Sequence, residues 1–270
     1  MRPLTFVVRA DPTQRLDLSP LTPEALAGKS VAEIAATPVQ TTRERATVGD
    51  IFRIRTGDAA RIVIEGGHER FDRVGMGLTG GSILVDGDVG VEAGRRMAGG
   101  LLEVRGDAGP FAASGMRGGM VEIAGSVGER LAGPLSGETI GMSGGVVVVR
   151  KGAGDRAGDR LRRGIVLIEG AAGAYAGSRM IAGTLAIAGE AGHLPGYLMN
   201  RGTILIGGAI AAMSPSFGDC GDVELVAARL LADHIAPTSA KVARVFRRRL
   251  QRFAGDLAAL GKGEILVPRR

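Results

Sequence analysis

The chain has 270 residues, and its 45% hydrophobic content is sufficient for a sizeable buried core. Its 45 glycines and 3% aromatic residues exclude a core filled mainly by large rings. The single cysteine excludes an intramolecular disulfide framework and a cysteine-rich metal site, while a formal charge of +6 permits a polyanionic partner. The sequence shows no secretory leader and no membrane segment, so we predict a cytoplasmic protein without membrane association.

Residues 1–58 are predicted to form a small N-terminal cap. An apolar strand is expected over residues 4–8, followed by a proline-rich turn and a short helical stretch over residues 23–35. Ile62 and Ile64, followed by Gly66 and Gly67, then indicate an irregular first unit of the next region. We therefore expect the cap to cover the first end of that region.

Residues 59–221 contain a regular repeat marked by anchor glycines. The successive spacings between these glycines are 19, 19, 26, 19, 19 and 19, and the anchors are Gly81, Gly100, Gly119, Gly145, Gly164, Gly183 and Gly202. Aliphatic residues stand two and four positions after each anchor, an alternation typical of a short strand with one buried face. Leucine or methionine stands three positions before each anchor. The repeat thus predicts a column of like side chains at each position.

Glycine also recurs six and nine positions after most anchors, where tight corners need a backbone that only glycine adopts cheaply. A strand, a corner, a shorter strand and a second corner within one period describe one coil of a β-helix. We predict an all-β fold, a right-handed parallel β-helix of about seven to eight coils. The small N-terminal cap precedes it, and a C-terminal helical segment follows.

Residues 222–270 are predicted to be that helical segment with a short tail. Apolar residues spaced three or four apart along one face are Val242, Phe246, Leu250, Phe253, Leu257 and Leu260. Basic residues on the opposite side include Arg247 and Arg248. This basic face is either a solvated helix surface or a docking surface for an acidic partner or a polyanionic cofactor tail.

The outward column in the middle of the predicted strands is apolar in its second half. The candidate interface residues there are Val146, Val148, Ile165, Leu167 and Leu205. An exposed apolar strip usually marks an interface, so a partner is one interpretation. The alternative is that the chain's own C-terminal helix covers the strip.

The longest of these intervals places seven extra residues within positions 129–141, which predicts a projecting loop. The loop is either a tolerated insertion or a contact with a partner.

No catalytic, cofactor-binding or metal-ligating residue is predicted. His68, His193 and His234 lack the spacing of a metal or catalytic motif, and Cys220 has no histidine nearby in sequence. Three functions remain open: a scaffold, an independent enzyme and a nucleic-acid binder. The sequence disfavours the last two, since it lacks convergent catalytic groups and a recognition helix with stacking aromatics. We therefore expect no nucleic-acid partner.

The glycine motifs Met97-Ala-Gly-Gly100, Met116-Arg-Gly-Gly119 and Gly141-Met-Ser-Gly-Gly145 resemble the β-helix shared by two families. One is the C-terminal domain of the glutamate synthase large subunit, and the other is the C subunit of formylmethanofuran dehydrogenase. Leu4-Thr-Phe6, Leu16-Asp-Leu-Ser-Pro20 and Arg201-Gly-Thr-Ile204 favour the second family, particularly its bacterial form in the formyltransferase/hydrolase complex.

This resemblance implies a non-catalytic structural subunit beside a formyltransferase subunit and amidohydrolase-like catalytic subunits. The complex would transfer formyl from tetrahydromethanopterin to a methanofuran-type carrier and release formate. The chain itself is expected to bind neither cofactor. The alternative is a β-helix spacer in a glutamate synthase-like amidotransferase complex.

Overall fold

The computed structural model describes residues 2–269 and begins with short elements. These are β1 (Pro3–Val8), β2 (Leu16–Asp17), α1 (Pro23–Leu26), α2 (Val31–Ala35), β3 (Pro38–Thr41), β4 (Ala46–Thr47), α3 (Val48–Ile51) and β5 (Phe52–Arg55). Thr22 caps α1 with Pro23 in its first turn, and Ser30 forms a reciprocal capping box with Glu33 in α2. The predicted helical stretch over residues 23–35 is therefore two short helices.

The repeat region supplies one main strand per repeat. Its elements are β6 (Asp58–Gly67), β7 (Phe71–Asp72), β8 (Ser82–Gly87), β9 (Leu101–Val104), β10 (Met120–Ile123), β11 (Val146–Val149), β12 (Ile165–Ile168), β13 (Thr184–Ile187), β14 (Ala191–His193), β15 (Arg201–Ile206) and β16 (Ile210–Ala212). The main strands pair in parallel, in the register of the repeat. Val121 lies beside Val147 across the long interval, so the seven extra residues leave the sheet without shifting it.

Each repeat is also joined to its neighbours on two other sides. A second parallel ladder of single bridges connects Val89, Ala108, Val127, Ala153, Ala172 and Ala191. A third side consists of overlapping turns in which several residues have positive φ, for example 63° at Glu92 and 53° at Arg96. Glu92 N–H donates to the carbonyl of Pro110, and Gly94 N–H donates to that of Val74. The turns therefore bond to the repeats on both sides.

The interior is filled by the columns that the repeat predicts. Five methionines of one column are completely buried: Met97, Met116, Met142, Met180 and Met199. Their flexible side chains suit a narrow interior because they adapt to irregular gaps. The aromatic residues Phe6, Phe52 and Phe71 instead pack together at the N-terminal end. Large rings thus lie where the regular columns begin.

The C-terminal segment contains β17 (Gly218–Val223), α4 (Val226–Ile235), α5 (Ala240–Phe246), β18 (Leu250–Gly255) and β19 (Lys262–Pro268). The prediction of a helix extending to Leu260 is wrong, since the last helix ends at Phe246. Leu250 and Phe253 lie in β18, which pairs with β19 in an antiparallel ladder, and β19 pairs in parallel with β15. These sheet hydrogen bonds override the local helical spacing.

The 13-stranded sheet has the order β17-β18-β19-β15-β13-β12-β11-β10-β9-β8-β6-β1-β5. It runs continuously through the predicted boundaries at residues 58 and 221, because β1 and β19 lie in the same sheet as the repeats. The fold is mostly β, as predicted. None of the helices within residues 2–269 is long and apolar enough to span a bilayer.

Candidate interface surfaces

The apolar strip on the main sheet is covered by the chain itself. Val148, Leu167 and Leu205 are fully buried, and they form a second apolar cluster with α4 and α5 that includes Ala232 and Phe246. The prediction that these three residues form a partner interface is corrected accordingly, because their surface is already removed from water within the chain. The alternative interpretation, cover by the C-terminal helices, describes the structure.

Polar contacts fix the position of this helical cover. Ser239 caps α5 by accepting a hydrogen bond from Val242 N–H, and its hydroxyl donates to Glu169 Oε1 at 2.7 Å. Arg150 Nη1 donates to the same carboxylate at 2.6 Å and to the carbonyl of Thr238 at 2.9 Å. The turn between α4 and α5 is therefore fastened to the repeats at the edge of the apolar strip.

The other predicted interface residues remain partly accessible. Val146 and Ile165 pack against the second cluster but are only partly buried. Arg247 and Arg248 are exposed, and Arg247 Nη2 donates to Asp233 Oδ1 at 2.7 Å. Arg248 Nη2 donates to the carbonyl of Arg269. Their contact with a partner stays a prediction.

The insertion loop over residues 129–141 is bound to the repeats by its acidic residue Glu138. Glu138 Oε1 accepts hydrogen bonds from Arg95 Nη2 at 2.7 Å and from Arg96 Nη2 at 3.0 Å. The neighbouring carbonyl of Thr139 accepts from Arg160 Nη1 at 3.2 Å. Arginines on either side of the loop thus hold it over the turn side of the repeats.

The charge state of Glu138 follows from these contacts. The hydrogen bond from Arg95 is the main cause that lowers the pKa of Glu138 to about 2. Partial burial opposes this effect, whereas the Leu135 N–H and Arg96 reinforce it. The carboxylate therefore stays ionised at neutral pH and pairs with Arg95, which is almost completely buried.

Another buried polar pair lies on the same turn side. Asp159 is fully buried, accepts a hydrogen bond from Ser178 Oγ at 2.8 Å and forms a salt bridge with Arg179. Its neighbours satisfy its charge, as buried carboxylates require. The repeat pattern did not identify Asp159 or Glu138 as structural residues, because neither belongs to a column of like side chains.

The histidines and the cysteine occupy separate places. His68 Nδ1 accepts a hydrogen bond from Arg70 N–H at 3.0 Å, His193 ends β14 and His234 lies in α4. Cys220 is exposed in β17. Across residues 2–269, no three histidine, cysteine, aspartate or glutamate side chains are grouped as metal ligands.

Comparisons with known proteins agree on one complex. No family model matches the chain. A segment of 86 residues is 46% identical to the C subunit of the formyltransferase/hydrolase complex Fhc of Methylorubrum extorquens, and it spans 32% of each chain. A chain in the crystal structure of the formyltransferase/hydrolase complex (FhcABCD) from that organism, in complex with methylofuran, is 43% identical. That match covers 98% of this chain and 100% of the other, with a TM-score of 0.95.

A mostly β chain whose repeats pair in register is a repeat protein, in which each unit is stabilised by its neighbours. Identity and coverage are both high along the whole chain in the structural match. The chain belongs to the family of the C subunit of the formyltransferase/hydrolase complex.

Proposed function

We propose that this chain is a non-catalytic structural subunit of a formyltransferase/hydrolase complex in one-carbon metabolism. The observation that carries this proposal is the match along 98% of the chain to a protein of such a complex. Its partners are then a formyltransferase subunit and amidohydrolase-like catalytic subunits. Together they transfer formyl from tetrahydromethanopterin to a methanofuran-type carrier and release formate.

We infer that each repeat is one coil of a right-handed parallel β-helix. In-register parallel pairing of the main strands and the second ladder of bridges support this inference. A rod of this kind is held by hydrogen bonds to both neighbouring coils, and it presents fixed surfaces to partners.

The polar groups with the strongest contacts have structural roles, which supports a chain without its own chemistry. Asp159 binds Ser178 and Arg179, and Glu138 binds Arg95 and fastens a loop. Arg150 pairs with Glu122 and Glu169 beside the helical cover. Both carriers of the formyl group are therefore assigned to the catalytic subunits.

The proposal is tested by expressing this chain with and without its candidate partner subunits. We expect co-purification in one complex with formyl transfer, and no transfer by the isolated chain. The catalytic subunits produced without this chain should assemble incompletely. Formyl transfer by the isolated chain, or a fully assembled and active complex that lacks it, would contradict the proposal.

The spacer function in a glutamate synthase-like complex is less well supported. Both relatives described above are formyltransferase/hydrolase proteins. The structural match extends along nearly the whole chain rather than along the repeats alone, which favours the first assignment.

A further inference from the structure

A basic groove runs along the turn side of the repeats, beside the insertion loop. Its first half is lined by Arg96, Arg117, Arg162 and loop residues 137–141, and its second half by Arg162, Arg163, Ile181, Arg201 and Leu260. The two halves are adjacent depressions with Arg162 between them, and together they are here called the arginine groove. Among the described residues of its lining, Glu138 is the one carboxylate, and it is already bound to Arg95 and Arg96.

The arginine groove departs from the way in which the repeats arrange charge elsewhere. Arginines on the other repeat surfaces have partners within the chain. Four pair with a carboxylate about one repeat away: Arg73 with Glu92, Arg105 with Asp86, Arg150 with Glu169 and Arg179 with Asp159. Others contact a ring or a carbonyl: Arg130 lies over Phe111, Arg156 lies over Tyr175 and Arg160 donates to the carbonyl of Thr139. In contrast, the exposed side chains of Arg117, Arg162, Arg163 and Arg201 form no ion pair within residues 2–269. Four unneutralised guanidinium groups that line two adjacent depressions repel each other and favour an anionic ligand.

The spacing of these arginines fits an extended ligand. Arg117 precedes β10 and Arg201 is the first residue of β15, and four strand steps separate their repeats in the order β10, β11, β12, β13 and β15. At about 4.8 Å per step, the groove spans roughly 19 Å, which is the length of about six residues of an extended peptide. A longer acidic segment can therefore contact all four guanidinium groups at once.

The lining also contains apolar side chains, which favours a peptide over a simple polyanion. Ile181 and Ala182 line the second half of the groove, and the nearby Leu260 is 49% exposed. A phosphate chain has no group that gains from these contacts, whereas a peptide with an aliphatic residue among its carboxylates does. Bidentate pairing of guanidinium with carboxylate adds specificity.

We propose that the arginine groove binds an extended acidic segment of a partner polypeptide. The assignment of that partner to the same complex rests on the proposed function. The insertion loop forms one wall of the groove, and Glu138 keeps this wall in place through Arg95 and Arg96. On this proposal, the seven extra residues of the insertion loop contribute to a binding surface, whereas a tolerated insertion would have no such role.

The test compares the variant R162E/R163E with the matched control R43E/R45E. Arg43 and Arg45 are also exposed, and the control produces the same change in net charge away from the groove. Association of each purified chain with the co-expressed partner subunits is measured at low and high salt. We expect at least a tenfold weaker association and a smaller salt dependence for R162E/R163E, with less than a twofold change for the control.

A peptide probe tests the groove without the partner subunits. A short peptide that combines several glutamates with two leucines should bind the wild-type chain and lose at least tenfold in affinity for R162E/R163E. The same peptide with glutamine in place of glutamate should not bind. Equal thermal midpoints of the two chains would establish that both are folded.

Two results would overturn the inference. One is unchanged association of R162E/R163E with the partner subunits, and the other is equally tight binding of inorganic phosphate or a single-stranded oligonucleotide. Failure of the proposed function looks different: the wild-type chain would then not associate with the other subunits at all, while peptide binding to the groove would still be measurable.

Discussion

Glu138 and Arg95 lie 43 residues apart in the sequence, yet Oε1 of Glu138 accepts a hydrogen bond from Nη2 of Arg95 at 2.7 Å. This contact fastens the insertion loop to an earlier repeat. Replacing Glu138 with Gln should lower the free energy of unfolding by about 1–3 kcal/mol, because the buried Arg95 guanidinium then keeps only Glu92 as a charged partner. Urea denaturation of Glu138→Gln measures this loss, with the exposed Glu190→Gln as control. An identical loss in both variants would contradict a specific role for Glu138.

The same residue gives a pH-dependent contribution to stability. The folded pKa of Glu138 is about 2, below the ordinary value of 4.5. The stabilisation is therefore complete above pH 4.5 and is lost as the pH falls through 2. The difference in unfolding free energy between wild type and Glu138→Gln should be constant from pH 6 to 8 and smaller at pH 3. A difference that grows at low pH would contradict this sign.

The Asp159 and Asp233 ion pairs test the effect of burial. Asp159 is fully buried with Arg179, whereas the side chain of Asp233 is 67% exposed beside Arg247. We expect Asp159→Ala to cost about 3–5 kcal/mol, because Arg179 and Ser178 lose their shared partner. Asp233→Ala should cost less than about 1 kcal/mol. Equal effects in urea denaturation would argue against a structural role for Asp159.

A substitution at Leu167 tests whether α4 and α5 pack stably on the apolar strip. It is fully buried beneath α4 and α5, so Leu167→Ala should cost about 2–5 kcal/mol by leaving a cavity. Leu230 lies in α4 but is 65% exposed, and Leu230→Ala should change the unfolding free energy by less than about 0.5 kcal/mol. A small effect of Leu167→Ala would show that the helices do not pack stably on the strip.

Gly144 tests how closely the repeats approach each other. A Cβ atom at this position would lie 2.2 Å from the carbonyl oxygen of Arg117 in the preceding repeat. Gly144→Ala should therefore separate the two backbones locally and cost more than about 2 kcal/mol. Gly137 in the insertion loop has a φ of 86° and open space around it, so Gly137→Ala should cost only about 1–2 kcal/mol. Thermal denaturation of both variants shows which one is destabilised more. A larger loss of stability for Gly137→Ala than for Gly144→Ala would contradict the close approach of the repeats at Gly144.

The sequence predicted those parts of the structure in which one position repeats one environment. The column of Met97 and Met116 is buried, and the pairing of Val121 with Val147 preserves the register across the inserted residues. Handedness is a property of the connection between strands, and the spacing of residues does not determine it.

Features that depend on a single long-range contact were not predicted. Leu250 and Phe253 follow a helical spacing, but pairing with β19 places them in a strand. The pair of Glu138 and Arg95 left no periodic signal, since Glu138 lies in the one repeat that has extra residues. For the apolar strip with Val148, the sequence left two interpretations open, a partner or the chain's own C-terminal helix, because the residues that cover it, in α4 and α5, lie far along the chain.

The two end strands of the 13-stranded sheet disfavour the stacking of further copies onto it. β5 at one end and β17 at the other both run antiparallel to their neighbours, unlike the strands of the repeats. A second copy stacked on the β5 end would meet a strand that runs opposite to the repeat strands. At the other end, β17 runs in the direction of the repeats, but its exposed residues Gly218, Asp219 and Cys220 do not continue the apolar columns. The sheet thus has a fixed length of roughly 58 Å at about 4.8 Å per strand. Subunits attached near its two ends would be held at a separation set by the number of repeats, and deletion of one whole repeat would shorten that separation by one strand spacing.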